Sequence, residues 1–163
     1  MNATWVLGWP TGNECGEYLT LDLGGTKLRI CWVTLNERQG ETTVDQDAYQ
    51  IPEEYKFGEA EPFWSFLAES VEDFLKKRKI RPEEGTVLPL GFTFSYPATQ
   101  EYIDHGVLQT WTKGFDIKGV EGHDVADQLR QAIVARVGCP WRLHLQQSAD
   151  DEVGSAHSDC CTH

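Results

Sequence analysis

The sequence predicts an α/β fold, with α+β as the alternative, in which helices pack on a central sheet. Three observations support this class: an opening pair of strands, a continuous apolar run typical of a buried strand, and two amphipathic stretches that favour helices. Because the strands come first and then alternate with helices, a single sheet with helices packed on it accommodates all of them. The length of 163 residues fits one domain or one lobe of a larger protein.

The composition is that of a globular protein and argues against several classes of function. Hydrophobic residues make up 40% of the chain and charged residues 25%, which is enough apolar material for a core. The 14 Lys and Arg against 26 Asp and Glu give a net charge of −12, which repels nucleic acid and anionic membrane surfaces. No stretch approaches the roughly 20 apolar residues of a membrane span. Scattered cysteines and a start without a signal-peptide pattern predict a reduced, cytoplasmic protein.

The first strands are predicted at residues 18–23 and 28–35. Leucines alternate with polar residues in the first segment, and the second is rich in β-forming residues near the same period of two. Gly24 and Gly25 form a tight turn between them, so the two strands are predicted to be a hairpin. A third and more polar strand is predicted at residues 42–51.

The remaining elements are two helices and one buried strand. Apolar residues recur at helical spacing over residues 62–79, and a basic run closes that segment. The apolar run at residues 87–94 lies between Gly85 and Pro97, which predicts a buried strand. Residues 124–137 repeat the helical spacing and are predicted to form the second helix.

The end of the chain differs from the rest. The composition changes after Gly138, and residues 146–163 are polar without apolar periodicity. We therefore expect one lobe at residues 1–138 and a disordered tail at residues 139–163. Adjacent cysteines strain a shared tetrahedral metal site, which favours accidental clustering of the tail's soft-metal ligands. These ligands are His157, Cys160, Cys161 and His163.

The first chemical signal is the segment Asp22-Leu23-Gly24-Gly25-Thr26-Lys27-Leu28-Arg29. A strand that turns through two glycines exposes backbone N–H groups and lets an anionic phosphate chain approach the backbone closely. Thr26 adds a hydroxyl group, Lys27 and Arg29 add positive charge, and Asp22 is suited to holding Mg²⁺ through water. A plain hairpin turn explains the two glycines equally well.

The second signal is residues 90–97 followed by residues 106–115. A buried strand delivers Ser95 to its end, and the carboxyl ends of strands in open α/β sheets tend to face ligand crevices. Ser95, Thr112 and Lys113 offer hydroxyl groups and a cation suited to a polyhydroxylated substrate. Capping hydroxyl groups and a solvated lysine are the simpler explanation of the same residues.

Together the two segments resemble the eukaryotic hexokinase family. Asp22 to Arg29 is similar to its phosphate-binding segment, and Leu90 to Pro97 with Trp111 to Phe115 is similar to its sugar-binding segment. Pro10-Thr11-Gly12 and the stretch from Glu121 to Val125 are also similar to that family. Two long motifs in the right order are more specific than either alone, and the resemblance covers most of the chain.

The resemblance implies a fold and an activity. Hexokinases of this family have two lobes of a ribonuclease-H-like, actin-like ATPase fold, a mixed sheet with flanking helices. They transfer the γ-phosphoryl group of Mg·ATP to the 6-hydroxyl group of glucose or a related hexose. The resemblance therefore implies ATP and Mg²⁺ as cofactors and a hexose as partner, with the fold incomplete because the large lobe is absent.

Carried onto matching positions, the resemblance gives each signal a role. Asp22 would lie near the metal and the phosphates. Ser95, Thr112 and Lys113 would contact the sugar, and Lys113 would also stabilise charge on the transferred phosphoryl group. Lys27 departs from the asparagine commonest at its position. The phosphate-side loop would consist of Gly24, Gly25, Thr26, Lys27 and Arg29.

The general base of the family is missing from this chain. The family carries it as the aspartate of an Asn-Asp-Thr segment at the end of the next strand, and that tripeptide does not occur here. Asp150, Asp151 and Glu152 follow no predicted strand, and solvated carboxylates are the simpler interpretation. A general base contributes about 10²- to 10⁴-fold in rate. We therefore expect the chain by itself to be nearly inactive.

Three interpretations stay open. The leading one is the small lobe of an ATP-dependent hexose kinase, truncated either through a gene-model artefact or as a splice variant. The second is a non-catalytic, hexokinase-like sugar-binding regulator, which would keep Ser95, Thr112 and Lys113 but need no base. The third is an inactive fragment, because the helix at residues 124–137 lacks a predicted strand to cover it.

Overall fold

The computed structural model describes residues 14–36, 42–81, 87–138 and 141–147. Its centre is a five-stranded mixed sheet, accompanied by two α-helices, a short 3₁₀-helix at Glu53–Lys56 and two small two-stranded sheets. The strands are β1 (Gly16–Leu23), β2 (Lys27–Leu35), β3 (Thr42–Gln50), β4 (Phe57–Glu59), β5 (Leu88–Phe94), β6 (Ala98–Thr99), β7 (Val107–Leu108), β8 (Asp116–Lys118) and β9 (Trp141–Gln147), and the helices are α1 (Ala60–Arg78) and α2 (Val125–Val137).

The predicted α/β class is confirmed, and so are the elements from which it was inferred. The hairpin, the third strand, the buried strand and both helices are all present, with ends that shift by no more than two residues from those expected. These elements bury one side in a regular period, so alternation and helical spacing in the sequence reveal them.

The order of the large sheet is β3-β2-β1-β5-β9. β1, β2 and β3 are joined by antiparallel pairing, whereas β5 runs parallel to β1 and β9 runs parallel to β5. The carboxyl ends of β1, β5 and β9 therefore meet at one edge of the sheet. At that edge Leu23, Phe94 and Gln147 are neighbours in register.

The two helices pack against each other and complete one hydrophobic core with the sheet. Trp64 Nε1 donates to Gln128 Oε1 at 3.0 Å and so joins α1 to α2. The Asp124 side chain caps α2 by accepting from the Ala126 N–H group at 3.0 Å. Neither helix of the described ranges is long and apolar enough to cross a membrane.

β9 corrects the prediction for the end of the chain. The expected disordered tail at residues 139–163 is wrong for residues 141–147, which form a strand paired with β5 along its length. Leu145 is 3% exposed, and its N–H group donates to the Ile103 carbonyl at 2.6 Å. The sequence does carry a signal for this strand, because Trp141, Leu143 and Leu145 alternate with polar residues, but the polar stretch that follows obscured it.

This strand also removes the reason for expecting an uncovered second helix, because α2 leads directly into β9 and contacts it. Two other parts of the prediction lie outside the described residues. One is Pro10-Thr11-Gly12 near the start of the chain. The other is the remainder of the predicted tail, which includes Asp150, Asp151, Glu152, His157, Cys160, Cys161 and His163.

Arg78 ties the end of α1 to β3. Its guanidinium group pairs with Asp45 and Asp47 at 2.8 Å each and lies 4.0 Å from the centre of the Phe74 ring. The hydrogen bond from Arg78 holds the pKa of Asp47 below its ordinary value. Because β3 leaves most of its side chains exposed, these ion pairs add to the attachment made by Tyr49, which packs against the core and donates to Asp73 at 2.9 Å.

Replacing Arg78 tests this attachment. We expect Arg78→Met to lower the free energy of unfolding by about 1–2 kcal/mol at pH 7, because charge-assisted hydrogen bonds are lost at a site that solvent partly screens. A carboxyl group with a lowered folded-state pKa stabilises the fold above its unfolded pKa and loses this effect as it is protonated. The cost of the substitution should therefore shrink below about pH 4.

Urea unfolding followed by circular dichroism at pH 7 and at pH 3 measures both effects. Arg81→Met is the control, because Arg81 is exposed and has no ion pair among the described residues. An Arg78→Met cost that is the same at both pH values would contradict the electrostatic explanation.

Candidate functional site

The glycine turn lies at the edge where β1, β5 and β9 end. The Gly24 N–H group donates to the Lys27 carbonyl at 3.1 Å and closes the turn. Neither Gly24 nor Gly25 has a positive φ, so the turn conformation does not by itself require glycine. The constraint at Gly25 is steric, because a Cβ atom there would lie 3.1 Å from the Cβ atom of Lys113, which is tighter than an ordinary contact. The turn is therefore shaped to receive a second segment.

That second segment is the loop of residues 109–115. Lys113 adopts the left-handed conformation, with φ of 57°, and Gly114 follows with φ of 80°. For a residue with a Cβ atom this conformation costs about 1–2 kcal/mol, so the surroundings must impose it. The Lys113 Nζ atom donates to the Ser95 carbonyl at 2.5 Å and lies 5.2 Å from the centre of the Tyr96 ring.

Tyr96 is a buried residue that connects the turn to the loop. Its side chain is 1% exposed, and its hydroxyl group donates to the Gly24 carbonyl at 3.1 Å. The ring packs edge-on against Trp111 and Phe115, with centroid distances of 4.9 Å and 5.4 Å. A phenylalanine would fill the same space but would leave the turn without this donor.

Asp22 and Arg29 face each other across the hairpin and form an ion pair at 2.8 Å. Their side chains are 37% and 56% exposed, so a ligand at the edge can reach both. One hydrated carboxylate suits Mg²⁺ that keeps its waters and is held mainly by phosphates. Within the described ranges no three His, Cys, Asp or Glu side chains form a group that holds a metal alone. These residues therefore fit a magnesium ion that arrives with a nucleotide.

Thr112 carries a polar atom suited to a ligand. Its Oγ1 atom is buried and has no hydrogen-bond partner among the described residues. Its carbonyl group accepts from the Phe115 N–H group at 3.2 Å, which fixes the backbone around it. Leaving a buried hydroxyl group without a partner costs about 1–3 kcal/mol, so such groups call for an explanation. Binding of a hydroxylated ligand is one.

The structure brings the two predicted segments together. Gly25 meets Lys113, and Lys113 reaches Ser95, whereas no described hydrogen bond joins the exposed Thr26 or Lys27 side chain to the loop. The residues that the sequence predicted for the site all lie in the turn, in the strands that adjoin it, directly after β5 or in the loop. They are Asp22, Gly24, Gly25, Thr26, Lys27, Arg29, Ser95, Thr112 and Lys113.

Sequence reasoning missed two residues that support this arrangement. Tyr96 could have been found as a tyrosine at the end of a buried strand, where its hydroxyl group needs a partner. Glu121 accepts a hydrogen bond from the Trp111 N–H group at 2.6 Å. No periodic pattern signals a contact between a side chain and the backbone ten residues away.

The mixed sheet, its strand order and its two helices define an actin-like ATPase lobe. A family model described as Hexokinase matches residues 1–159. The chain belongs to the hexokinase family. The match extends beyond Gly138, where the motifs noted in the sequence end.

Relatives support the same assignment. The chain is 55% identical to a hexokinase of Emericella nidulans over 161 residues, which cover 98% of this chain and 32% of that relative. It is 48% identical to Hexokinase-1 of Saccharomyces cerevisiae over 135 residues, which cover 81% of this chain and 27% of that relative. The chain thus spans about a third of the length of the curated relatives it matches.

Among solved structures, the chain is similar to the hexokinase from Schistosoma mansoni complexed with glucose. The TM-score is 0.82 at 34% identity, and the match covers 90% of this chain and 32% of that one. A second structure, described as a hexokinase, has a TM-score of 0.74 at 30% identity and covers 83% of this chain and 31% of that one.

The two glycines of the turn provide a matched pair of substitutions. A Cβ atom at Gly24 would make an ordinary contact of 3.5 Å, whereas one at Gly25 would press on Lys113. We expect Gly25→Ala to be less stable than Gly24→Ala by about 1 kcal/mol, because crowding offsets the gain from a stiffer unfolded chain. Amide resonances of Lys113 and Gly114 should move in Gly25→Ala and stay in place in Gly24→Ala. Equal stabilities and unmoved Lys113 signals in both variants would show that the turn and the loop do not touch.

Proposed function

We propose that this chain forms the small lobe of an ATP-dependent hexose kinase. The turn at Gly24 and Gly25 holds the nucleotide phosphates, and the loop with Thr112 and Lys113 holds the sugar. The observation that supports the proposal is the contact of Gly25 with Lys113, because the glycine turn and the hydroxyl-bearing loop lie side by side there. Family membership supports the reaction, transfer of the γ-phosphoryl group of ATP to the 6-hydroxyl group of glucose or a related hexose.

The phosphate side of the site consists of backbone donors and cations. The N–H groups of Gly25 and Thr26 have no hydrogen-bond partner among the described residues. Successive N–H groups of this kind form a concave anion-binding surface. Lys27 and Arg29 are exposed beside it and add positive charge, and the Thr26 hydroxyl group adds a further donor. A polyphosphate is the ligand that matches this set.

The sugar side consists of Ser95, Thr112 and Lys113. Ser95 follows directly on the carboxyl end of β5, and its carbonyl group already orients the Lys113 ammonium group. The buried Thr112 hydroxyl group supplies the polar atom that a sugar hydroxyl group would satisfy. Polar side-chain and backbone groups held rigidly in this arrangement favour binding of a hydroxylated ligand over an apolar one.

Lys113 is placed to act in the transfer step. Its side-chain carbons pack on the turn at Gly25 while its Nζ atom is held beside Ser95, so this one side chain contacts both halves of the site. A fixed cation there would stabilise charge spread over the phosphoryl oxygens in the transition state. Bound Mg²⁺ would neutralise phosphate charge in the same way, and Asp22 would hold it through water.

The described residues do not supply the proton acceptor that this reaction needs. Asp22 is the carboxylate that the turn provides, and Arg29 already engages it at 2.8 Å. The side chain of Glu121 accepts from a backbone N–H group instead. We therefore propose that the chain binds both ligands more effectively than it transfers the phosphoryl group between them.

Thr112→Val separates sugar binding from folding. Removing a buried hydroxyl group that has no described partner should leave the free energy of unfolding unchanged or raise it by up to about 1 kcal/mol. The same change should raise the dissociation constant for glucose about tenfold or more, because the sugar loses a hydrogen-bond partner. Isothermal titration with glucose and thermal unfolding measure the two effects.

Thr110→Val is the matched control, since Thr110 lies in the same loop but is exposed. It should bind glucose like the parent chain. If Thr112→Val also binds like the parent chain, or if the parent chain binds no glucose, the sugar-binding half of the proposal fails.

A coupled assay for glucose 6-phosphate tests the expected lack of turnover. We expect the 163-residue chain with Mg·ATP and glucose to turn over below about 10⁻² s⁻¹, at least about 10²-fold under ordinary kinase rates, for want of a general base. Lys113→Met serves as the control for contaminating kinase activity, because a contaminant would be insensitive to it. Turnover at ordinary kinase rates that Lys113→Met abolishes would show that the chain supplies its own base.

A further inference from the structure

One segment precedes and one follows the loop that carries Thr112 and Lys113. Among the described residues the backbones of these two segments pair only at the base of the loop. The Leu108 N–H group donates to the His123 carbonyl at 3.2 Å, and the Gly122 N–H group donates to the Leu108 carbonyl at 2.8 Å. Three residues further on, a side chain takes over this role. The Glu121 Oε1 atom lies 2.6 Å from the backbone nitrogen of Trp111 and accepts its hydrogen bond. The carboxylate thus extends the pairing to the residue that precedes Thr112.

Trp111 is fixed at its other end by its own side chain. It is 9% exposed, its indole Nε1 donates to the Ile117 carbonyl at 3.0 Å, and its ring stacks on Phe115 at a centroid distance of 5.3 Å. A backbone N–H group in such a buried setting needs an acceptor. A carboxylate is the strongest acceptor that a protein offers, and Glu121 provides it.

The residues that follow Trp111 form a turn, which the Phe115 N–H group closes by donating to the Thr112 carbonyl at 3.2 Å. Within this turn Lys113 has a positive φ, which costs free energy for a residue with a Cβ atom, so a fixed backbone on either side helps to maintain it. Glu121 is suited to maintain it because its own backbone is anchored. Three residues further along the chain, the Asp124 carboxylate accepts from the Gly106 and Ala126 N–H groups, at 3.1 Å and 3.0 Å, and fixes the start of α2.

We propose that Glu121 is a positioning residue for the sugar-binding loop. By holding the Trp111 N–H group, its carboxylate fixes the backbone that directs the Thr112 hydroxyl group and the Lys113 side chain. The effect on the loop follows from the geometry alone, whereas the effect on sugar binding rests on the proposed function. The two effects therefore need separate measurements.

Amide hydrogen exchange of the full 163-residue chain measures the hold on the loop. In Glu121→Ala we expect the amides of residues 111–115 to exchange about tenfold faster, while those of α2 and β1 stay near parent rates. Glu121→Gln keeps an amide oxygen that can accept the bond and should restore most of the protection. Glu101→Ala, which removes an exposed glutamate with no described hydrogen bond, should change nothing.

The amide proton resonance of Trp111 gives a second reading, which serves if Glu121→Ala fails to fold. A charge-assisted hydrogen bond shifts this resonance downfield, so Glu121→Gln should move it upfield and leave distant amides in place. An unmoved Trp111 signal in Glu121→Gln would overturn the proposal. Unchanged loop exchange in a folded Glu121→Ala would do the same, and so would exchange that accelerates uniformly over the chain.

Titration with glucose then tests the consequence for binding. We expect the dissociation constant to rise about tenfold in Glu121→Ala and to stay near the parent value in Glu121→Gln. Faster loop exchange with unchanged glucose affinity would overturn the link between Glu121 and the sugar. If no form of the chain, parent included, binds glucose while loop exchange responds as expected, the proposed function fails but the positioning role holds.

Discussion

The candidate site depends on the close approach of Lys113 to Gly25. A Cβ atom at position 25 would lie 3.1 Å from the Lys113 Cβ atom, so a glycine is what lets the loop rest on the turn without displacement. The Tyr96 hydroxyl group reinforces this contact from below by donating to the Gly24 carbonyl. Two stretches far apart in sequence thereby form one surface, with backbone donors on one side and hydroxyl groups and a cation on the other.

The parallel pairing of β1 with β5 makes this approach possible. It sets Leu23 beside Phe94, so the turn that follows β1 and the segment that follows β5 leave the sheet at the same edge. In an antiparallel arrangement the two would leave at opposite edges and could not share a ligand. The hairpin with β2 then returns Arg29 to a position opposite Asp22, which keeps a cation and a carboxylate within reach of that edge.

How far the sequence could predict this arrangement differs from element to element for physical reasons. The alternation around Leu19, Leu21 and Leu23 records one-sided burial, so the hairpin was predictable, and the helices were predictable for the same reason. β9 was missed because its alternation of Trp141, Leu143 and Leu145 with polar residues is short and runs directly into the polar end of the chain. The bond from Trp111 to Glu121 leaves no periodic trace at all. Motifs could suggest candidate residues for the site, but not the contacts that hold those residues in place.

The loop that carries Thr112 and Lys113 is held from two sides, so a ligand that binds there does not have to order the loop. On the inner side Trp111 and Phe115 are part of the core, each within about 6 Å of the Phe63 ring of α1. On the outer side the Glu121 carboxylate holds the backbone. A loop ordered in this way loses little conformational freedom when a ligand binds. The left-handed Lys113 backbone and the buried Thr112 hydroxyl group are therefore free-energy costs already present in the folded chain, and a ligand that satisfies the hydroxyl group would remove one of them.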